Sequence, residues 1–322
     1  MDKVEMLLNS IDPWVVYRTM IDLQKADSND PSVLRVKKEM IEHQLIQLLI
    51  RELNDWPGEV LASHKSAGQL FHKLSFIADL GITVSDAELS PLKASLYQFR
   101  SKEGLFQLPI QIAVHYGGTG EPTHGWALCD APLILYSAIK IGLISATEAQ
   151  SSIEYLMSFV QVNGWPCAVS KELGNFRGPG KKQDPCPYVN LIMLKLLSLS
   201  DHYRASKEAH FGIQCLLHLW ETSQKEHPYI FYMGTDFRKL KAPFIWYDIL
   251  HVTEVLSLYE EARNDPRFVE MISLINSKAD QNGEFMIESV WQAWKEWEFG
   301  QKKKPSDWLT FLVTRINNRI ER

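Results

Sequence analysis

Residues Asn163 to Leu199 read NGWPCAVSKELGNFRGPGKKQDPCPYVNLIMLKLLSL. Three parts follow one another here: a glycine–aromatic turn, a long polar loop, and an apolar segment. From Asn190 onward, apolar residues recur at three- and four-residue steps, which predicts a helix. The same order recurs elsewhere. Turns of this kind are NDWPG at Trp56, EGLF at Phe106, PYIFYMG at Phe231 and NGEF at Phe285. With Trp165 included, the spacings are 50, 59, 66 and 54 residues. After each turn come a variable loop and a helix rich in small and apolar residues, starting near His64, Trp126, Asp184, Phe244 and Pro305. A more charged, amphipathic helix fills the gap before the next turn, at 33–53, 86–100, 145–160, 203–222 and 266–278. An opening helix near Asp12 brings the expectation to six apolar and five amphipathic helices.

Punctuation agrees with this order. Asp-Pro pairs begin at Asp12, Asp30, Asp184 and Asp265, each ahead of an apolar-periodic run. Asp accepts backbone N–H groups as a cap, and Pro suits the first helical position. Gly81 and Gly142 follow apolar runs as stop residues do. No run of alternating residues predicts a strand, so the class is all-α. Paired helices at this period stack as an open solenoid or close as a ring. The apolar members read as buried on several sides and the charged ones on one side. This favours an (α/α)6 toroid of inner and outer helices, a single domain over residues 1–322. The loops at 103–125, 163–183 and 226–243 are long for plain connectors and would gather at one end.

Composition narrows the function classes. The net charge of −5 argues against a general nucleic-acid binder. The four cysteines, Cys129, Cys167, Cys186 and Cys215, include no CxxC, which suits a reducing compartment. The N-terminus has no signal-peptide core and no apolar run is long enough for a membrane span. The expectation is a cytoplasmic protein.

Asp184, Cys186 and His251 supply one carboxylate, one thiolate and one imidazole, the ligand types of zinc. Asp248, three residues before His251, is placed to orient it. Each has a plainer reading. Asp184 can be a helix cap, Cys186 a small buried hydrophobe and His251 a satisfied interior residue. Cys129–Asp130 is a second candidate pair, while Cys167 and Cys215 read as structural. The loop residues Arg177, Lys181 and Lys182 suit a phosphate at a helix N-terminus. Two more basic clusters, Arg238–Lys241 and Lys302–Lys304, precede later inner helices. His64, Lys65, His72 and Lys73 read as acid–base groups, phosphate contacts or structure. Trp126, Tyr136, Tyr188, Trp246, Tyr247, Trp291, Trp294 and Trp297 would line an apolar cavity or form core.

The repeat of a glycine–aromatic turn before a small-residue helix resembles the α/α toroid of protein prenyltransferase β subunits and squalene-cyclase-type terpenoid cyclases, over roughly residues 10–320. The prenyltransferase β subunits are similar in a further respect: an Asp-x-Cys at one inner helix start and an Asp-x-x-His about sixty residues later. The resemblance implies Asp184, Cys186 and His251 as zinc ligands and Asp248 as the acidic residue before the histidine. Arg177 and Lys181 would hold a diphosphate, and Tyr188 would follow the cysteine in the site. It thus implies a zinc-dependent transferase acting on an apolar or phosphorylated small molecule. Those β subunits work with a partner subunit and are longer. The acidic motifs of squalene-type cyclases are absent here. A non-catalytic toroid binding a lipid or a protein partner, and a carbohydrate-active (α/α)6 enzyme, stand as alternatives.

Overall fold

Among the described residues seven helix starts carry a capping side chain, and their sequence shows why. Asp2, Asp30, Ser145, Ser206, Asp248, Asp265 and Ser306 each sit at an N-cap and accept a backbone N–H of the first turn. The computed structural model describes residues 2–176, 178, 180, 181 and 183–321. The expectations for Arg177 and Lys182 lie outside the described residues.

The helices are α1 (Lys3–Leu8), α2 (Pro13–Arg18), α3 (Pro31–Glu42), α4 (Gln44–Leu53), α5 (Leu70–Leu80), α6 (Ser90–Gln98), α7 (Ala131–Lys140) and α8 (Ala146–Met157). They continue as α9 (Pro187–Leu197), α10 (Asp201–Arg204), α11 (Lys207–Glu221), α12 (Ile249–Leu256), α13 (Glu260–Arg263), α14 (Pro266–Asn276) and α15 (Asp307–Ile320). A π-turn at Thr19–Leu23 extends α2. The predominantly helical class agrees with the repeat pattern.

Fifteen α-helices among the described residues exceed the eleven expected, the short α1, α10 and α13 among them, and three further details differ from the sequence reading. The segment 33–53 is two helices, broken at His43, whose ψ of 135° is extended. Its ring caps the second helix, Nδ1 accepting Leu45 N–H at 3.3 Å. The Asp184–Pro185 pair does not start a helix: α9 begins at Pro187, with Cys186 at the N-cap. Two three-residue strands, β1 (Leu108–Ile110) and β2 (Thr123–Gly125), pair antiparallel with Leu108 opposite Gly125. A ladder that short gives no readable alternation in sequence.

The chain forms two compact units. Unit 1 comprises Met1–Arg51, Lys239–Phe244 and Asp248–Arg322. Its helix α12 is buried at every residue and packs on α14 and α15. Arg315 of α15 reaches Asp22 at 3.0 Å and Glu254 at 2.7 Å, and Arg319 joins Glu254 at 2.9 Å. Arg315 and Arg18 outweigh burial and hold the Asp22 carboxyl down at about 2. Trp14 packs against Trp297, which stacks on Phe299.

Unit 2 comprises Glu52–Arg238 and Ile245–Tyr247. Here α5, α7, α9 and α11 pack in succession. Every residue of α9 is buried, whereas α8 buries only Ala149, Ser152, Ile153 and Leu156. This is the expected contrast between multiply buried and one-sided helices. Lys195 of α9 ties three of the buried helices together. Its Nζ lies 2.6 Å from Asp79 Oδ2 on α5 and 4.8 Å from the Tyr136 ring centroid on α7. The Tyr136 hydroxyl donates to Asp79 Oδ1 at 2.9 Å. Among the described residues, no helix is long and apolar enough to cross a membrane.

Candidate functional site

The turn at Asn163–Pro166 positions the centre of unit 2. Gly164 adopts φ +103°, and a Cβ there would meet Asn190 Oδ1 at 2.4 Å. Asn190, wholly buried on α9, accepts Trp165 N–H at 3.0 Å. Its amide donates to the carbonyls of Trp165 at 3.0 Å and Cys186 at 2.9 Å. One side chain thus staples the turn to the start of α9.

Cys167 follows that turn on an extended segment held from both sides. On one side Cys186 N–H donates to Trp165 O at 2.8 Å. On the other, Leu128 N–H donates to Ala168 O at 2.9 Å and Ser170 N–H to Trp126 O at 2.8 Å. The clamp brings together three cysteines from separate segments. The Sγ atoms of Cys129, Cys167 and Cys186 all lie within 4.8 Å of one another. Gly178 closes the space above: φ is +88°, and a Cβ would sit 2.8 Å from Cys167 Sγ. Among the described residues this is the one group of three or more His, Cys, Asp or Glu donors close enough to share an ion.

The three thiols are not equivalent. Burial alone would push Cys186 up. Hydrogen bonds from the Cys129 and Cys167 thiols, and from the N–H groups of Val189 and Tyr188, outweigh it and hold Cys186 well below the usual thiol range. Those N–H groups belong to the free N-terminus of α9, which favours a thiolate. Cys129 is pushed up by its hydrogen bonds to Cys167 and Cys186 and by burial. Cys215, on α11, is buried and pushed up by burial, as befits a core residue.

The trio forms part of the wall of a cavity of about 1140 Å³ in unit 2. Aromatic wall residues include Tyr116, Phe176, Phe231, Phe237, Trp246 and Tyr247. His64, Lys65 and Asp236 also line it, beside the thiols. Trp246 stacks on Tyr188 at 4.2 Å. Tyr188 is itself wholly buried, and its hydroxyl has no hydrogen-bond partner among the described residues. Burial first, then Cys129, Asp130 and Cys186, push its phenol up, so it lies in the field of the thiol cluster.

The residues predicted from sequence fall as follows. Cys186 belongs to the thiol trio. Asp184 stands two residues outside α9, its Oδ2 accepting Lys181 N–H at 2.8 Å. Lys181 is exposed. Asp248 and His251 belong to unit 1. There Asp248 caps α12, Oδ1 accepting Leu250 N–H at 3.1 Å and His251 N–H at 3.0 Å. His251 is buried and stacks flat on Phe244 at 4.6 Å. The second basic cluster faces aromatic rings: Arg238 covers Trp220 at 5.0 Å and Lys241 covers Trp291 at 5.4 Å. Trp126 packs on Tyr155 and Phe159, Tyr136 joins the Lys195 network, and Trp294 and Trp297 are core of unit 1.

Cys167, read from sequence as structural, is a full member of the trio, and Cys129 is the second. A signal for both existed. Each lies close after a turn or loop that precedes a buried helix, as Cys186 does. What hid the set is that 38 and 19 residues separate its members, with no local motif. Compared with models of known protein families the chain matches none, and among curated proteins it finds no relative.

Proposed function

We propose that unit 2 is an enzyme that alkylates a thiol, with zinc held by Cys129, Cys167 and Cys186 and the organic chain of the donor in the aromatic cavity. The observation that carries this reading is the convergence of three thiols from separate segments at the wall of a large apolar cavity. The donor set fits the metal: Zn–S bonds of about 2.3 Å in a tetrahedron place sulfurs about 3.8 Å apart, and three protein ligands leave one position open. Bound zinc would hold an incoming thiol as its thiolate near neutral pH.

The chain's own residues do the rest. Against burial, hydrogen bonds from the Cys129 and Cys167 thiols, joined by the N–H groups at the start of α9, hold Cys186 low and favour its thiolate as a ligand. Phe231, Phe237, Trp246 and Tyr247 exclude water and present ring faces to the alkyl chain. Lys65 in the wall would meet an anionic leaving group such as a diphosphate, and the exposed Lys181 of the loop before α9 would join it. The alternation of fully buried and one-sided helices supports taking the whole as an α/α toroid of the prenyltransferase kind.

Metal content of the purified chain tests the reading. About one zinc per chain is expected. It should be lost in Cys129→Ala, Cys167→Ala and Cys186→Ala, and kept in His251→Ala. A metal-free wild type overturns the proposal. Zinc that survives Cys129→Ala and Cys167→Ala but is lost in His251→Ala assigns the ion to Asp184, Cys186 and His251 instead.

A further inference from the structure

The cavity of unit 2 holds a second chemical group that the thiol trio does not use. His64 lies in the loop before α5 and lines the cavity. Its Nε2 is 2.7 Å from Asp130 Oδ2. Asp130 is wholly buried, directly follows Cys129, and uses Oδ1 to accept Ala127 N–H at 3.1 Å. Burial pushes the Asp130 carboxyl up, while His64 and the N–H groups of Ala127 and Ala131 pull it back. The ionised form of Asp130 only accepts hydrogen bonds, and its 2.7 Å contact then assigns the His64 proton to Nε2 and the lone pair to Nδ1. Nδ1 has no hydrogen-bond partner among the described residues, nor does any hydrogen bond join His64 to the thiols.

The residue is anchored at its other end too. His72 Nε2 lies 2.8 Å from the His64 carbonyl. Burial holds His72 down at about 3, so it is neutral and donates from Nε2. The Phe71 ring meets His64 edge-on at 6.2 Å. The backbone is thus pinned by His72, the ring by Asp130, and the one free nitrogen belongs to a side chain in the cavity wall. The charged and titratable groups of its surroundings, among the described residues, include Asp130, His72, Lys65, Asp236, the three thiols and the wall phenols Tyr116, Tyr232 and Tyr247.

We infer that His64 is the proton acceptor of the reaction, with Asp130 its positioning residue, and that the substrate delivering the proton is a thiol. The inference rests on the thiol-alkylation reading above. In the step, Nδ1 takes the thiol proton: the S–H bond breaks, an N–H bond forms, and the electron pair stays on sulfur. The thiolate then attacks the alkyl carbon of the donor. A C–S bond forms, the C–O bond to diphosphate breaks, and diphosphate leaves with that pair. His64 returns its proton to water.

Two measurements on the full chain test this. In the metal-free wild type, 15N NMR of labelled histidines should show a neutral imidazole protonated at Nε2, absent in His64→Gln. A resonance protonated at Nδ1 overturns the inference. In the Co(II)-loaded chain, benzyl mercaptan serves as the probe thiol. Calorimetry in buffers of different ionisation enthalpy counts the protons released on binding. His64→Gln should release about one more proton per thiol bound than the wild type, because the wild type retains it on the imidazole. Asp130→Asn should move the count the same way. Equal counts in wild type and His64→Gln overturn the acceptor role. Loss of the thiolate–cobalt absorption in His64→Gln also overturns it, by making His64 a ligand. A wild type that takes up no Co(II) sinks the thiol-metal reading and the thiol acceptor with it. The NMR arm still reports separately on the Asp130–His64 pair.

Discussion

At the scale of single residues, buried polar groups set the sensitivity of both units. Asn190 satisfies three backbone groups of the Trp165 turn and Cys186 at once. Asn190→Ala leaves the Trp165 N–H buried without a partner and removes one of the two hydrogen bonds at each carbonyl, and a loss of about 3 kcal/mol in chemical denaturation is expected. In unit 1, Glu298 is pushed up to about 7 by burial, partly offset by its Ser306 hydrogen bond, with Asp12 adding repulsion. Asp12 is pushed up to about 6 by burial and by Asp307. Folded-state values above the ordinary carboxylate range mean that the native chain binds protons more tightly than the unfolded one. Their contribution is therefore full below about pH 4 and is lost as pH rises through about 6 and then 7. Melting temperature should fall between pH 5 and pH 8, and Glu298→Gln should flatten most of that fall. A flat wild-type profile contradicts the assignment.

At the scale of elements, the buried helices of unit 2 are joined by one cation. Lys195 on α9, Asp79 on α5 and Tyr136 on α7 form a connected network. Asp79→Ala removes the anion from a nearly buried ammonium and is expected to destabilise by about 3 kcal/mol. Lys195→Met in the same background should recover part of it, since the stranded charge is gone. Failure of the second change to help would assign the network no strain of desolvation. A related argument applies to the loop over the thiols. Gly178→Ala adds a Cβ against Cys167 Sγ at a φ of +88°. It should weaken Co(II) binding about tenfold or more, about 1.4 kcal/mol, and leave the helical content unchanged.

Helix identity and order were readable from the chain because they depend on local spacing. Apolar residues at three- and four-residue steps, and caps such as Asp30, Asp265 and Ser206, act within one or two turns. The break at His43 was not readable, because its cause is a ring bonded to the backbone of Leu45 and packed on Trp14. The pair β1–β2 was hidden by its length.

At the scale of the whole molecule, unit 1 is assembled from both ends of the chain. Asp22 near the start and Arg315 near the finish share an ion pair, and Arg315 also pairs with Glu254, which lies between them in sequence. Arg315→Ala leaves two carboxylates without their shared cation. Loss of about 3 kcal/mol is expected, with near-ultraviolet circular dichroism from the Trp14–Trp297 pair lost at lower denaturant. The thiol site is likewise a product of long-range assembly, since its members come from the starts of α7 and α9 and the segment between.

The chain by itself determined that the protein is helical, where most of its helices run, and that Cys186 stands at the mouth of a buried helix. These follow from periodicity, capping and helix ends, all of which are short-range. Only the tertiary structure decided which groups Cys186 meets. Asp184 bonds to Lys181, while Cys129 and Cys167 are drawn in by backbone ladders on either side of residues 165–170. The same holds for His64 and Asp130, 66 residues apart and 2.7 Å from each other. Ladders and buried polar pairs form between segments whose spacing carries no period, so their partners are chosen by packing.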